Sequence, residues 1–268
     1  MKKLLSPFLL IIFFTACQKQ ISPDKVPGKI RDVSAKSAAK KMDICHKGHM
    51  ISINSNAWPE HQAHGDLPGN CSTNFTTICN QTWMVKNLDV DHYKNGDPIP
   101  QVTDPTEWAA LTTGAWCYYF NDPANGPTYG KLYNWYAVND PRGLAPPGWH
   151  VPTNSEWETL INCLGGEEIA GGKLKEIGTT HWLEPNIGAT NESGFTALPG
   201  NIRLNTGEFT PSSNTPYLGV FADFWTSSEF IFNSMIYASH QVIIFNFPGI
   251  QHGADDKAYG LSVRCVKD

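Results

Sequence analysis

The chain has 268 residues, of which 41% are hydrophobic and 12% aromatic, so it can build a sizeable core. Its formal net charge is −5, and the charge is unevenly spread. Residues 18–43 carry seven Lys/Arg and three Asp/Glu, whereas residues 44–268 carry eleven and 22. An acidic folded body argues against nucleic acid as a partner, because binding to phosphates needs clustered cations.

The N-terminus reads MKKLLSPFLLIIFFTAC. Two lysines precede an apolar run at residues 8–14 that is too short to span a bilayer. Small residues then lead into Cys17, an ending that resembles the bacterial lipobox. The resemblance implies a signal peptide over 1–16 and lipid, including palmitate, on Cys17; an ordinary secretory signal is the alternative. We therefore expect an exported protein anchored by lipid to the bacterial cell envelope, in the outer membrane or at the cell surface.

Residues 17–42 contain almost no large apolar side chains. This composition predicts a flexible, lipid-anchored linker with a random-coil reach of about 30 Å. Its positive charge favours either an anionic headgroup surface or simple solvation.

Seven cysteines are present, and lipid on Cys17 would leave six. An even number in an exported chain suggests disulfides, and six cysteines allow about 15 pairings. Cys45 and Cys71 bracket one compact segment, so we pair them. The pairing of the other four stays open at this point: Cys79, Cys117, Cys163 and Cys265.

A small Cys/His module is expected over residues 43–75, with the sequence DICHKGHMISINSNAWPEHQAHGDLPGNC at its start. A short strand and a helix capped by Asn56 are predicted. His61 and His64 lie three apart and share a helical face. With His46 and Asp66 they offer a metal site, for zinc or copper. We favour the alternative, in which the histidines pack a disulfide-closed module.

Residues 76–268 are expected to form one large domain. The segments at 104–114 and 152–166 each begin with a capping box and predict helices. The remaining pattern is short strands between Gly, Pro and Asn turns: QTWMVKNL, AWCYYF, GFTAL, FWTSS, MIYASHQVIIF and LSVRCV. Strands and helices do not alternate as they do in βαβ units. The pattern therefore predicts an irregular α+β domain with short antiparallel strands, two or three helices and long loops. Six tryptophans are assigned to its core: Trp83, Trp108, Trp116, Trp135, Trp149 and Trp157.

Several segments closely resemble the Fibrobacter succinogenes major paralogous domain, among them WMVKNLDV, GAWCYYFNDPANGPTYGKLYNWYAVNDPRGLAPPGWHVPTNSEWETL and GLSVRCVKD. The resemblance covers nearly all of 78–268, and that family occurs on secreted and surface lipoproteins. PPGWHVPTNSEWETL and GLSVRCV also resemble segments of the formylglycine-generating enzymes, which implies a C-type-lectin-like fold.

The family resemblance also bears on the cysteines. Cysteines are usual in the family at the positions of Cys117 and Cys265, which implies a disulfide between them. Cys79 and Cys163 depart from the usual residues, and the gain of both suggests a second disulfide.

The formylglycine-generating enzymes use two thiols near the C-terminus, but Cys265 is the only cysteine in the last hundred residues of this chain. No GxSxG, HExxH or Walker motif occurs either. We therefore expect a non-catalytic module that binds a glycan or a surface protein and needs no cofactor. A metal-dependent enzyme or metal-binding protein built on the Cys/His module, and a purely architectural envelope protein, are the alternatives.

Candidate ligand-binding residues lie in loops rich in Gly, Asn and Ser. Trp182 and Trp225 are placed to stack on sugar rings. Glu184-Pro185-Asn186 resembles the calcium and sugar tripeptide of mannose-type C-type lectins, so Ca²⁺ joins Zn²⁺ as a candidate ion. Asn191 and Glu192 follow in the same loop.

Overall fold

A computed structural model of the protein describes residues 40–46, 49–63, 66–68, 74–209 and 218–268. The expected signal peptide, Cys17 and nearly all of the expected linker lie outside these residues. The first strand nevertheless begins at Lys41, two residues inside the expected linker. No helix in the described ranges combines the length and the apolar character that a membrane crossing requires.

The strands of the described residues are β1 (Lys41–His46), β2 (His49–Asn54), β3 (Leu67–Pro68), β4 (Phe75–Ile78), β5 (Gln81–Met84), β6 (Trp116–Cys117), β7 (Leu132–Asn134), β8 (Trp149–His150), β9 (Phe221–Phe232), β10 (Met235–Ile244), β11 (Ile250–Asp255), β12 (Gly260–Leu261) and β13 (Val266–Lys267). The α-helices are α1 (Trp58–Ala63), α2 (Pro105–Ala109), α3 (Gly126–Tyr129), α4 (Trp135–Val138), α5 (Asn154–Cys163) and α6 (Glu167–Leu174). Short 3₁₀ turns occupy Ser55–Ala57, Tyr119–Asn121 and Pro123–Asn125.

These strands form small sheets with the orders β2-β1-β3, β11-β10-β9, β12-β7-β6 and β4-β5-β13-β8. Every strand pairing within the sheets is antiparallel. The prediction of an α+β fold with short antiparallel strands and long loops is confirmed, but the described part of the large domain has five α-helices rather than the predicted two or three. Two predicted strands differ from the structure: GFTAL contributes only an isolated bridge between Ala197 and Lys175, and LSVRCV belongs to strands only at its ends, Leu261 and Val266.

The small module consists of the sheet β2-β1-β3 and helix α1. The two long strands pair from Lys41 opposite Asn54 to His46 opposite His49. The side chain of Asn54 accepts a hydrogen bond from the amide of Asn56 and caps the turn that enters α1. The cap therefore lies two residues before the predicted one. The module and the large domain belong to one compact unit that covers residues 39–268.

Both predicted capping boxes start helices. Asp104 accepts from the amide of Glu107 at the start of α2. Thr153 and Glu156 make both reciprocal bonds at the start of α5, which satisfies two amides that have no partner within the helix. Helix α5 buries Trp157, Leu160 and Ile161, as its apolar stripe predicts.

The tryptophans assigned to the core are all buried, as predicted. Their indole groups also connect distant segments. Trp108 donates to the carbonyl of Ala258, and Trp135 donates to the carbonyl of Thr226. A long loop that folds back on itself is fixed by such bonds, because each one satisfies a buried carbonyl far away in sequence.

The cysteines follow the predictions only in part. Cys79 and Cys163 form the expected disulfide, with 6.7 Å between their Cα atoms. Cys45 is disulfide-bonded, and its expected partner Cys71 lies outside the described residues. The predicted bond between Cys117 and Cys265 is wrong, because both are free, buried thiols.

The positions of these two thiols explain the error. Cys117 lies on β6 opposite Leu132, in an apolar cluster with Trp108 and Phe209. The carbonyl of Cys265 accepts from Met84 beside another sheet, and its side chain belongs to a different cluster. Burial raises the pKa of each thiol to about 12, which makes them unreactive in the folded protein.

Candidate functional site

A cleft of about 330 Å³ lies between the small module and the large domain. Its module wall includes Trp58 and Gln62 of α1. The facing residues come from the segment after β4–β5 and from α3, among them Lys86, Asp89 and Thr128. Asn74 lies at the point where the two walls meet, just before β4.

Trp58 is the only one of the nine tryptophans that is not buried. It is the first residue of α1, directly after the 3₁₀ turn, and it lines the cleft. Every other indole is at least nine-tenths buried in an apolar cluster. Part of the Trp58 ring is therefore exposed beside the cleft, where a ligand could contact its apolar face.

Asn74 carries an unsatisfied amide. Its side chain is buried, with 3% of the residue exposed, and its Nδ2 has no hydrogen-bond partner among the residues that the structure describes. The backbone carbonyl of Asn74 is held by the amide of Val85 at 3.0 Å, which fixes the residue at the end of the β4–β5 hairpin. A buried donor without a partner costs about 1–3 kcal/mol, and a ligand acceptor would recover that free energy once the Asn74 side chain turned into the cleft.

On the wall opposite the small module, the carboxylate of Asp89 is paired with Lys131. The Lys131 ammonium donates to Oδ1 of Asp89 at 2.5 Å and to the backbone carbonyl of Asp89 at 3.0 Å. Burial raises the pKa of Asp89 above its usual range, while the Lys131 ammonium acts in the opposite direction. Lys131 itself is buried over the Trp116 ring, 4.4 Å from its centroid. The side chain of Asp89 is 46% exposed, so this carboxylate is held by Lys131 and still accessible from the cleft.

A second depression of about 400 Å³ adjoins the cleft. The two share Gln62, Val90 and Pro146 in their walls. The second depression continues past Tyr93 and Lys94. Together they form one groove along the seam between module and domain.

A cluster of histidines and aspartate lies next to the cleft. Asp66, a buried residue of the cleft wall, accepts from Nδ1 of His46 at 2.7 Å and from Nδ1 of His61 at 2.6 Å, both through Oδ2. The pairing of β1 with β3 places Asp66 beside the end of β1, where His46 lies. Three of the four predicted metal ligands are thus brought together, and His64 lies outside the described residues.

The prediction that Trp182 and Trp225 contact a ligand is wrong. Trp182 is 1% exposed and donates to the carbonyl of Ala197. Trp225 is fully buried and donates to the carbonyl of Tyr133. Trp182 turns inward and fixes its loop, and Trp225 lies within strand β9 rather than in the predicted loop.

The three companion residues also have internal roles. The amide of Asn186 donates to the carbonyls of Glu176 and Gly178, and only 5% of the residue is exposed. Asn191 bonds to both the amide and the hydroxyl of Thr196. Glu192 is exposed, and its carboxylate pairs with Lys173. Nothing in these contacts joins them into one ligand site.

Sequence reasoning missed Trp58, Asn74, Lys86 and Asp89. One signal was available for Trp58, since it is the only tryptophan outside the large domain. The cleft itself could not be read from the sequence, because its walls come from three separate segments.

Comparison with known proteins gives one match. No curated protein is significantly similar to the chain, and no solved structure is either. The model of the Fibrobacter succinogenes major domain matches residues 76–267, which is well over half of the chain. Domains of this kind occur mainly on surface and secreted proteins. The chain therefore belongs to the Fibrobacter succinogenes major domain family.

Proposed function

We propose that the protein is a non-catalytic binding module that takes an oligosaccharide into the groove between its small module and its large domain. The observation that carries the proposal is the part-exposed Trp58 beside the unpartnered amide of Asn74. A sugar ring has an apolar face that stacks on an indole and hydroxyls that accept from an amide and donate to a carboxylate. Asp89 supplies that carboxylate on the facing wall.

The shape of the groove favours a chain of sugars over a protein. The cleft and its neighbouring depression, about 330 and 400 Å³, follow one another along the seam. Sites of this size suit small ligands, whereas a stable protein partner needs roughly 800 Å² of surface on each side. An oligosaccharide would fill both depressions in turn.

The state of the groove's carboxylates supports binding without catalysis. Oδ2 of Asp66 accepts from two imidazoles, Asp89 is paired with Lys131, and Asp91 of the second depression is paired with His92. Glycoside cleavage requires two carboxyl groups that are free to exchange protons and to approach the sugar. Each of the three carboxylates in this groove has a partner within the protein.

The proposal includes an exported protein with lipid on Cys17 and a large domain of C-type-lectin-like fold. The lipobox-like ending and the resemblance to formylglycine-generating enzymes support these two points. Expression in a Gram-negative host with labelled palmitate should label the wild type and not Cys17→Ser. Equal labelling of both proteins, or none of the wild type, would remove the anchor from the proposal.

The binding proposal is tested with the full chain on an array of bacterial and host glycans, followed by calorimetric titration of each hit. Trp58→Ala should weaken binding at least tenfold, about 1.4 kcal/mol, because it removes the stacking ring. Asn74→Ala should also weaken binding, since it removes the free donor. Phe232→Ala is the matched control: the ring is 57% exposed and lies outside the groove.

Fluorescence gives an independent reading. Acrylamide should quench mainly Trp58, because the other eight indoles are buried, and a bound oligosaccharide should protect it. Full affinity in Trp58→Ala, or unchanged quenching on binding, contradicts the groove as the site. A silent array together with capture of a surface protein would replace the glycan by a protein partner.

A further inference from the structure

We infer that His46, His61 and Asp66 form a Zn²⁺ site. The three side chains come from the end of β1, from α1 and from the residue before β3. One candidate ligand atom from each lies within 4.8 Å of the other two. Within the described residues, no other group of His, Cys, Asp or Glu side chains meets this condition. The inference does not depend on the proposed oligosaccharide.

The charge of Asp66 needs a counterion. Its carboxylate is 3% exposed, and in the described part of the chain its only ion-pair partners are the two imidazoles. A buried carboxylate without a Lys or Arg partner is costly unless a cation or several donors compensate it. A divalent ion held by all three side chains would supply the missing charge directly.

The donor set selects zinc over calcium. Two imidazole nitrogens and one carboxylate oxygen match the ligands that Zn²⁺ prefers, while Ca²⁺ requires six or more oxygens. Cys45 precedes His46 but is disulfide-bonded, so it offers no thiolate. Three protein ligands leave the fourth tetrahedral position for water, as in open zinc sites.

The geometry needs only a small adjustment. In the structure each Nδ1 lies 2.6 or 2.7 Å from Oδ2 as a hydrogen bond, with the rings edge to face at 5.5 Å. Ligand atoms of a tetrahedral zinc site lie roughly 3.3 Å apart, so each Nδ1 would move away from Oδ2 by about 0.6 Å, and the two ring nitrogens, within 4.8 Å of one another, would settle at that same separation. Each imidazole would carry its proton on Nε2 instead. The ring of His46 is 32% exposed and that of His61 24%, which leaves solvent access for the ion and for that proton.

The ion would fasten α1 to the sheet of the small module. This segment spans about thirty residues, too few for a large core of its own. Among the described residues, Asp66 connects β1 to α1 through its side-chain contacts with His46 and His61, and its amide also donates to the carbonyl of His61. Zinc would replace two hydrogen bonds by coordination bonds that persist only in the folded module.

The test is calorimetric titration of the full chain with Zn²⁺ after treatment with a chelator, together with metal analysis. We expect one equivalent with a dissociation constant on the order of 1 µM or below. His46→Ala and His61→Ala should each weaken binding at least tenfold. His92→Ala should bind as the wild type does, because His92 also pairs with a carboxylate, Asp91 at 2.6 Å, but lacks a second imidazole.

Co²⁺ supplies a reading that does not depend on variants. Bound to the wild type, it should show the visible absorption of four-coordinate cobalt with nitrogen and oxygen ligands, and Zn²⁺ should displace it. A stoichiometry well below one ion per chain, an octahedral cobalt spectrum, or unchanged zinc affinity in folded His61→Ala would each overturn the inference. If the alanine variants fail to fold, the wild-type stoichiometry and the cobalt spectrum decide alone.

Discussion

Three buried cations hold the loops of the large domain together. Arg203 donates to the carbonyls of Val102, Thr103 and Gly207, and its guanidinium lies 4.3 Å from the centroid of the Trp108 ring. The Lys175 ammonium donates to the carbonyls of Ile187, Ile244 and Phe247 at 2.8–3.0 Å. Neither cation pairs with a carboxylate in the described ranges, so their role is to satisfy backbone acceptors that the irregular loops leave open.

Arg264 is the third of these cations and gives a direct test. Its guanidinium donates to the carbonyls of Met84 and Phe195 and to Oδ1 of Asn87. Burial lowers its pKa to about 9. Arg264→Met keeps the length but removes every donor, so the free energy of unfolding should fall by roughly 2–5 kcal/mol.

Chemical denaturation with circular dichroism measures this loss. Arg142→Met is the matched control, because Arg142 is exposed and pairs with Asp140 and Asp97 at the surface. Its midpoint should not move measurably. Equal midpoints for Arg264→Met and the wild type would show that the loops do not depend on this cation.

At the scale of single elements, local sequence signals correctly predicted several helices and strands. The two capping boxes predicted the starts of α2 and α5, because a cap involves residues only three apart. Strand β10 could also be predicted, since Met235–Ile244 is rich in Ile, Val and Tyr. Helix α6 was harder, because glycines interrupt it.

Those glycines have a reason that only the fold reveals. A Cβ on Gly171 would overlap the carbonyl of Gly249, and a Cβ on Gly172 would overlap the carbonyl of Gly188. Helix α6 therefore packs its backbone directly against two loops. Such close approaches join segments that are far apart in sequence, and no local sequence pattern predicts them.

The same limit applies to the candidate sites. His61 and Asp66 are near neighbours along the chain, so their approach to one another was predictable. Trp58 and Asp89 face each other across the groove only because the small module packs on the large domain. The prediction of a disulfide between Cys117 and Cys265 was wrong for a related reason. That cysteines are usual at two positions in a family does not specify the distance between their side chains.

At the scale of the whole molecule, the sheet β11-β10-β9 carries a buried titratable group. His240 of β10 lies with Nδ1 3.3 Å from Asp223 of β9 and Nε2 3.0 Å from Asp255 of β11. Burial alone would lower the pKa of His240, but hydrogen bonding and charge from the two carboxylates outweigh it and raise the pKa to about 9. All three strands of the sheet are thus joined through one imidazolium.

This arrangement predicts how stability changes with pH. The pKa of His240 is higher in the folded chain, about 9, than its ordinary value of 6.5. Its contribution is therefore fully present below about pH 6.5 and is lost as pH rises through 9. At about 1.36 kcal/mol per pKa unit, the loss approaches roughly 3 kcal/mol. Lys175 acts in the opposite sense, because burial lowers its pKa to about 8 and raising the pH relieves that cost.

A comparison with His240→Gln separates the two groups. The free energy of unfolding of both proteins should be measured by denaturant titration from pH 6 to pH 9.5. The difference between wild type and variant should be largest near pH 6 and shrink by about 2–3 kcal/mol towards pH 9.5, since Lys175 is common to both and cancels. A difference that stays constant over this range would mean that His240 is neutral in the folded protein and that its two carboxylates do not hold a proton on it.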